Sequence, residues 1–190
     1  MRKLSLFMHT TLDGFVAGPN GEMDWIKVDD EMFEYAGMRT SNADTALYGR
    51  VTYQMMDAYW PTAADQPSAS KHDIEHSNWY NSVHKVVLSQ SMRGEEPENT
   101  TIVSDDIAAK ISELKQQPGK EILIFGSPTA SHILSQAGLI DEYWLFVNPI
   151  VLGNGIPLFK GITSPVQLRL QKSVPFKTGV VGLFYERENV

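Results

Sequence analysis

Three glycine-bearing segments carry residue types that can bind and shield an anion. In Leu47-Tyr48-Gly49-Arg50-Val51-Thr52 an apolar run ends in Gly-Arg, and a threonine stands where a helix can begin. A helix N-terminus offers unpaired N–H groups and partial positive charge, and Arg50 adds a two-pronged phosphate donor. Gly49 as a plain turn with Thr52 as its cap is the competing reading of the same letters. Ile122-Leu123-Ile124-Phe125-Gly126-Ser127-Pro128-Thr129 repeats the arrangement. Gly126 permits close backbone approach, and Ser127 and Thr129 supply hydroxyls; an ordinary strand-to-helix loop competes with it evenly. The third segment, Thr10-Thr11-Leu12-Asp13-Gly14-Phe15-Val16-Ala17-Gly18, runs on through Pro19-Asn20-Gly21. It can close over a ligand, or Asp13 can merely bond its own backbone. None of the three is a G-x-G-x-x-G or Walker sequence.

His72 and His76 with Glu75 spell H-x-x-E-H, an inverted zinc-protease motif. The preceding Ser68-Ala69-Ser70-Lys71 is polar and offers no apolar helix to carry it, so no metal site is expected. His84 and His132 read as surface positions of a strand and a helix. Trp25 has the flat ring that can cover a planar substrate.

These residues need a scaffold, and the apolar pattern provides one. Lys3 to His9 alternates around a β-prone core, while Ala43–Tyr48, Val83–Leu88 and Glu121–Phe125 are short apolar runs that suit buried parallel strands. Ser104 is placed as an N-cap, with Asp105 and Asp106 in the first turn of a helix whose Ile107, Ile111 and Leu114 share a face before Pro118-Gly119. Thr129 to Ala137 reads as a helix stopped by Gly138, and Glu142 to Val147 as an aromatic strand. Val166–Phe176 and Gly179–Glu186 read as an antiparallel hairpin. Pro61 to Asn78 is polar and rich in breakers, and is expected to be a loop or lid. Strand–helix alternation implies helices on both faces of a mainly parallel α/β sheet, with ligands at the carboxyl ends of its strands.

The chain has 190 residues, which fits one domain over 1–190. Sixteen basic and 23 acidic residues leave a net charge of −7, which disfavours nucleic acid or an anionic membrane as partner. Cysteine is absent, so disulfides, thiol nucleophiles and cysteine-ligated metals are excluded. The apolar run Leu4–Met8 is too short for a secretion signal, and a cytoplasmic location is expected.

Taken in order, these segments give the chain a resemblance to the dihydrofolate reductase-like superfamily, and most closely to the C-terminal reductase family of riboflavin biosynthesis. Thr11-Leu12-Asp13-Gly14 is similar to that family's opening motif, Gly49-Arg50-x-Thr52 to its Gly-Arg-x-Thr, and Leu88-Ser89-Gln90-Ser91 to its adenosine-side strand end. Gly126, the run Gly138-Leu139-Ile140-Asp141-Glu142 and the segment Pro149-x-x-Leu152-Gly153-x-Gly155 complete the match, which spans nearly the whole chain. The resemblance implies a three-layer fold with a mainly parallel central sheet and a C-terminal antiparallel hairpin, an NADPH site and a homodimer. By it Val16 and Ala17 line the nicotinamide, Arg50 and Thr52 hold the adenine phosphates, and Gly49 and Phe125 also belong to the cofactor site. Ser89, Gln90 and Ser91 take the 2′-phosphoribose, Gly126, Ser127 and Thr129 the pyrophosphate, and His9 meets the substrate. Pro128 departs from the family's Gly-Gly pair and removes an N–H donor.

A hydride acceptor also needs a proton, for which a carboxyl of raised pKa is the usual source. Asp29, Asp30 and Glu34 begin the helix that bears the acid in dihydrofolate reductases; Asp30 is the choice for donor, and Asp13 the residue that orders its loop. Tyr143 to Val147 lacks the small hydroxyl residue that supports that acid in folate reducers. The expected activity is therefore NADPH-dependent reduction of an imine or carbonyl on a small heterocycle. Folate or pterin reduction, a nucleotide-binding module without chemistry and a partner-docking protein are the rivals.

Overall fold

A computed structural model describes residues 1–188. Along the chain run β1 (Leu4–Thr11), β2 (Phe15–Ala17), α1 (Asp30–Asn42), β3 (Ala43–Gly49), α2 (Arg50–Asp57), α3 (Trp60–Ala63), α4 (Lys71–Ser82) and β4 (His84–Leu88). Then follow β5 (Thr100–Val103), α5 (Ile107–Gln116), β6 (Glu121–Phe125), α6 (Pro128–Gln136), β7 (Glu142–Asn148), β8 (Ile156–Pro157), β9 (Leu168–Pro175) and β10 (Val181–Arg187). Eight strands form one sheet in the order β5-β4-β3-β6-β1-β7-β10-β9, and β2 pairs with β8 apart from it. The six from β5 to β7 are mutually parallel, and β10 runs antiparallel between β7 and β9.

The two-residue period of the strands sends alternate side chains to two separate cores. Leu4, Leu6 and Met8, with Leu47, Val86, Ile122, Ile124, Tyr143 and Leu145, pack beneath α5 and α6. Ala46, Tyr48, Val87, Leu123 and Phe125 face α2, α3 and α4, while Phe146 and Phe184 meet Met32 and Tyr35 of α1. Phe7 joins both clusters of this second face. Three layers result, with β1 at the centre.

At the amino ends of the strands, charge replaces this apolar packing. Arg39 near the end of α1 pairs with Glu121 and, at 3.0 Å, with Glu142, and its guanidinium lies 4.0 Å over the Trp144 ring. Lys3 reaches Glu142 at 2.6 Å, and Ser5 bonds both carboxylates. The network anchors the far end of α1 and leaves its N-terminal end to face the carboxyl ends of the strands.

Several expectations need correction. The stretch expected to be a lid is largely helical: Trp60 opens α3, and α4 starts with a capping box in which Ser70 Oγ accepts from the Asp73 amide at 3.1 Å and Asp73 accepts from the Ser70 amide at 2.8 Å. Ser104 does not cap α5; Asp106 precedes it in a left-handed conformation (φ 45°), while Asp105 stands outside and pairs with Arg93 and Lys110. The aromatic strand β7 lies between β1 and β10, with Tyr143 and Phe146 buried and Trp144 partly covered.

Candidate active site

Two strand-to-helix turns meet at the carboxyl end of the sheet. Gly49 ends β3 and Gly126 follows β6, its neighbour. A Cβ on Gly49 would collide with the Ser127 hydroxyl, and one on Gly126 would touch Thr52 Cγ2 at 3.6 Å. Gly126 and Ser127 both adopt left-handed backbone, with φ of 56° and 60°. For buried Ser127 that conformation is costly, the kind of strain that collects at ligand turns. Neither α2 nor α6 has a side-chain cap or an acidic residue in its first turn, so their leading N–H groups are left for another acceptor. Pro128 at the start of α6 sacrifices only an N–H that has no helical partner in any case. Arg50 is exposed and, among the described residues, bonds only Gln54 of its own helix, at 2.9 Å. Thr129 is exposed too.

Beyond β4, Ser89 is buried and holds the turn together: its hydroxyl accepts from the Met92 amide at 3.2 Å and meets Ser91 Oγ at 3.2 Å. Gln90 and Ser91 remain exposed. On the other side, Asp13 ties the loop after β1 to the segment after β7. It accepts from the Thr11 hydroxyl at 2.6 Å, the Leu152 amide at 3.2 Å and the Gly153 amide at 2.8 Å. The Thr11 hydroxyl, helped by those amides, holds its carboxyl below the ordinary range. Val16 and Ala17 are buried on β2, and Gly155 packs so closely on the Ala17 carbonyl that no side chain would fit there.

Next to this cradle lies a cavity of about 160 Å³. The sheet lines it with Phe7, His9, Phe125 and Phe146, α1 and the loop before it with Val28, Met32, Phe33 and Ala36, and the helices from α2 to α4 with Met56, Trp60, His72 and His76. Phe33 stacks on His72 at 4.0 Å between ring centres, and Trp60 packs against His76 at 4.1 Å with the rings tilted by 43°. Burial pushes His9 down to about 4 and His76 to about 3, and it lowers His72. Among the described residues the lining contains no carboxylate, lysine or arginine.

Asn148, which the sequence did not single out, organises this end. Its Oδ1 accepts from the Lys27 amide at 2.9 Å, and that backbone N–H fixes which way the side chain points. Its Nδ2 then faces the Phe146 carbonyl at 3.1 Å and, at 3.4 Å each, the Thr10 carbonyl and His9 Nδ1; an amide N–H pointed at Nδ1 favours the tautomer with its proton on Nε2. Only a strand end two residues beyond an aromatic run marked the position.

Two expected residues lie elsewhere. Asp30 is exposed on the first position of α1 and does not line the cavity, because Met32, Phe33 and Ala36 are the residues of that helix turned inward. Asp29 is its N-cap, accepting from the Met32 amide at 2.9 Å. Trp25 donates to the Glu22 carbonyl at 3.2 Å and is likewise outside the lining. The rejected H-x-x-E-H motif does lie on a helix, with both imidazoles in the cavity wall; among the described residues no group of three or more His, Asp or Glu could hold a metal.

Comparison with known proteins agrees with this architecture. The RibD C-terminal domain family matches residues 2–182. The chain belongs to that family. This RibD C-terminal domain is 33% identical over 187 residues to the uncharacterized protein YyaP of Bacillus subtilis, covering 97% of the chain and 94% of the relative. Its fold is that of a putative riboflavin biosynthesis protein from Shewanella sp. PV-4 (TM-score 0.72, 23% identity, 98% and 99% of the two chains). A deaminase/5-amino-6-(5-phosphoribosylamino)uracil reductase of Thermotoga maritima shares it too (0.67, 15%, 98% of this chain and 57% of that one). So does the dihydrofolate reductase of Enterococcus faecalis complexed with NADP(H) (0.65, 15%, 98% and 97%).

Proposed function

We propose that this RibD C-terminal domain is an NADPH-dependent reductase acting on the C=N or C=O bond of a small planar heterocycle. The observation that carries the reading is the pair of uncapped helix N-termini, locked together through Gly49 and Ser127, beside a ring-lined cavity at the same end of the sheet. That donor set fits a dinucleotide. The first-turn amides of α2 and α6, with Thr52, Ser127 and Thr129, would take the pyrophosphate, and Gly126 lets the backbone come close. Arg50 and the Ser89-Gln90-Ser91 turn would hold the adenosine end and its 2′-phosphate, which is why NADPH is preferred. Val16, Ala17 and Phe125 would border the nicotinamide.

A bound reduced nicotinamide supplies a hydride, that is, two electrons with one hydrogen nucleus. The protein's part is to orient the acceptor; with no carboxyl among the described lining residues, the proton that completes the reduction would come from a solvent water at the open side of the cavity. Phe7, Phe125 and Phe146 provide flat apolar wall, and His9, its ring set by Asn148, presents Nε2–H. Asp13 keeps the loop over β1 closed through the Leu152 and Gly153 amides and, ionised, is no proton donor.

Titration with NADPH, followed by NADPH oxidation against a panel of aminopyrimidines and pterins, tests the assignment. Saturable binding and turnover of one acceptor are expected. Failure of NADPH to bind overturns it, and binding without turnover of any acceptor reduces the protein to a nucleotide-binding module.

A further inference from the structure

We infer that the acceptor is an uncharged compound built on a single planar ring with a carbonyl or imine edge, and that a phosphorylated acceptor is turned away. The inference rests on reading the cavity as the substrate side of the reductase site. Three independent features of the wall lead to it.

The first is size. A volume of about 160 Å³ is close to the ~150 Å³ of a protein cavity that holds one benzene ring, so one ring fits and a fused pair crowds. The second is shape. Phe33 and His72 are within 13° of parallel, and His9 and Phe146 within 28°, so the walls are flat stacked pairs that match a planar face.

Charge is the third feature and the most selective. A phosphate removed from water needs a cation or several aimed N–H groups. The lining supplies neither lysine nor arginine among the described residues, and its three imidazoles are held neutral at pH 7 by burial. A neutral imidazole still offers one donor and one acceptor. With His9 Nδ1 turned to Asn148, its Nε2–H remains to donate to a carbonyl oxygen or imine nitrogen. The Thermotoga maritima neighbour is by its description a reductase of a phosphoribosylamino compound. The ring of such a substrate would seat in the cavity, but its phosphate, left at the open side by Val28, would meet no lysine or arginine of the lining.

The test is equilibrium binding to the cofactor-free protein, read by quenching of Trp60 fluorescence and by calorimetry. The probes are 5,6-diaminouracil and 1,4-benzoquinone as uncharged rings, against 5-amino-6-(5-phosphoribosylamino)uracil. No cysteine is present to trap the quinone. Saturable quenching is expected from at least one uncharged ring, with affinity about tenfold or more above that of the phosphorylated compound. Trp60→Phe should lose the quench and keep the calorimetric signal. Ala36→Phe, which fills the cavity, should abolish ring binding and leave NADPH titration unchanged. Equal or tighter binding of the phosphorylated compound overturns the inference and leaves the reductase reading standing, as does failure of both rings to bind while NADPH does. Failure of NADPH alone defeats the reductase reading without touching the ring preference.

Discussion

Burial without a counter-charge decides how His9 and His76 respond to acid. An imidazole in the unfolded chain titrates near 6.5, whereas the folded enclosure holds His9 near 4 and His76 near 3. As pH falls below 6.5 the unfolded state takes up protons that the folded state refuses, so stability declines through that window and is complete above it. For His9 alone the loss by pH 4 is on the order of 3 kcal/mol. Asp13 and Glu142, whose pKa values are lowered, lose their contribution only at still lower pH. Urea unfolding at a series of pH values checks this: His76→Phe should roughly halve the slope between 6.5 and 4.5, leaving the share of His9, and an unchanged slope would place the acid sensitivity in another group. Arg50 is exposed and, among the described residues, its guanidinium bonds only Gln54, which leaves it able to meet a phosphate. Arg50→Ala is expected to lower NADPH affinity by about 1.5 to 3 kcal/mol and barely alter NADH. Equal losses by titration would remove Arg50 from the 2′-phosphate.

The β3–α2 and β6–α6 turns act as one unit because Gly49 and Ser127 occupy adjoining space. Gly49→Ala should push Ser127 aside and weaken NADPH binding by about tenfold or more, and Ser127→Ala in the same chain should restore much of it. Additive losses in the double variant would show the turns to be independent. At the opposite end, Arg39 is the counter-charge of Glu121 and Glu142. Arg39→Ala leaves enclosed Glu121 without its cation while Glu142 keeps Lys3, and should cost about 3 kcal/mol of stability, measured by denaturation, with α1 loosened over the cavity. The elements also explain what was readable beforehand. The parallel strands β3, β4 and β6 carry short apolar runs, and the glycines that end β3 and follow β6 announced the cradle. The helix α4 stayed hidden because it buries His76 and Ser77, polar letters that erase the amphipathic signal, although Ser70-x-x-Asp73 spelled its cap. The strand β5 escaped because Thr100 and Thr101 on the sheet edge are only partly covered. The cavity was illegible for another reason: its wall is gathered from residues between Phe7 and Phe146, on both sides of the sheet's crossovers.

For the whole molecule, the sheet has one long open edge. Six of the eight residues of β9 are exposed, and Leu170 keeps half its surface in water. Val151, Phe159 and Ile162 add exposed apolar area in the segment between β7 and β9. A twofold dimer that covers part of this surface is the expected outcome, and light scattering at micromolar concentration should return about twice the 21.3 kDa of one chain. A monomer mass would leave the edge to Arg169 and Lys172, the kind of charge that guards such strands against aggregation. The central position of β1 has its own cost during synthesis. Leu4 pairs with Ile122, and Ser5 with Glu142, so both neighbours of this strand are translated long after it. The interval from Thr11 to Glu121 occupies the ribosome for roughly 5 to 20 s. Throughout it Leu4, Leu6 and Met8 have nothing to pair with, and the nascent chain is a client for chaperones that shield apolar segments until the middle of the sheet exists.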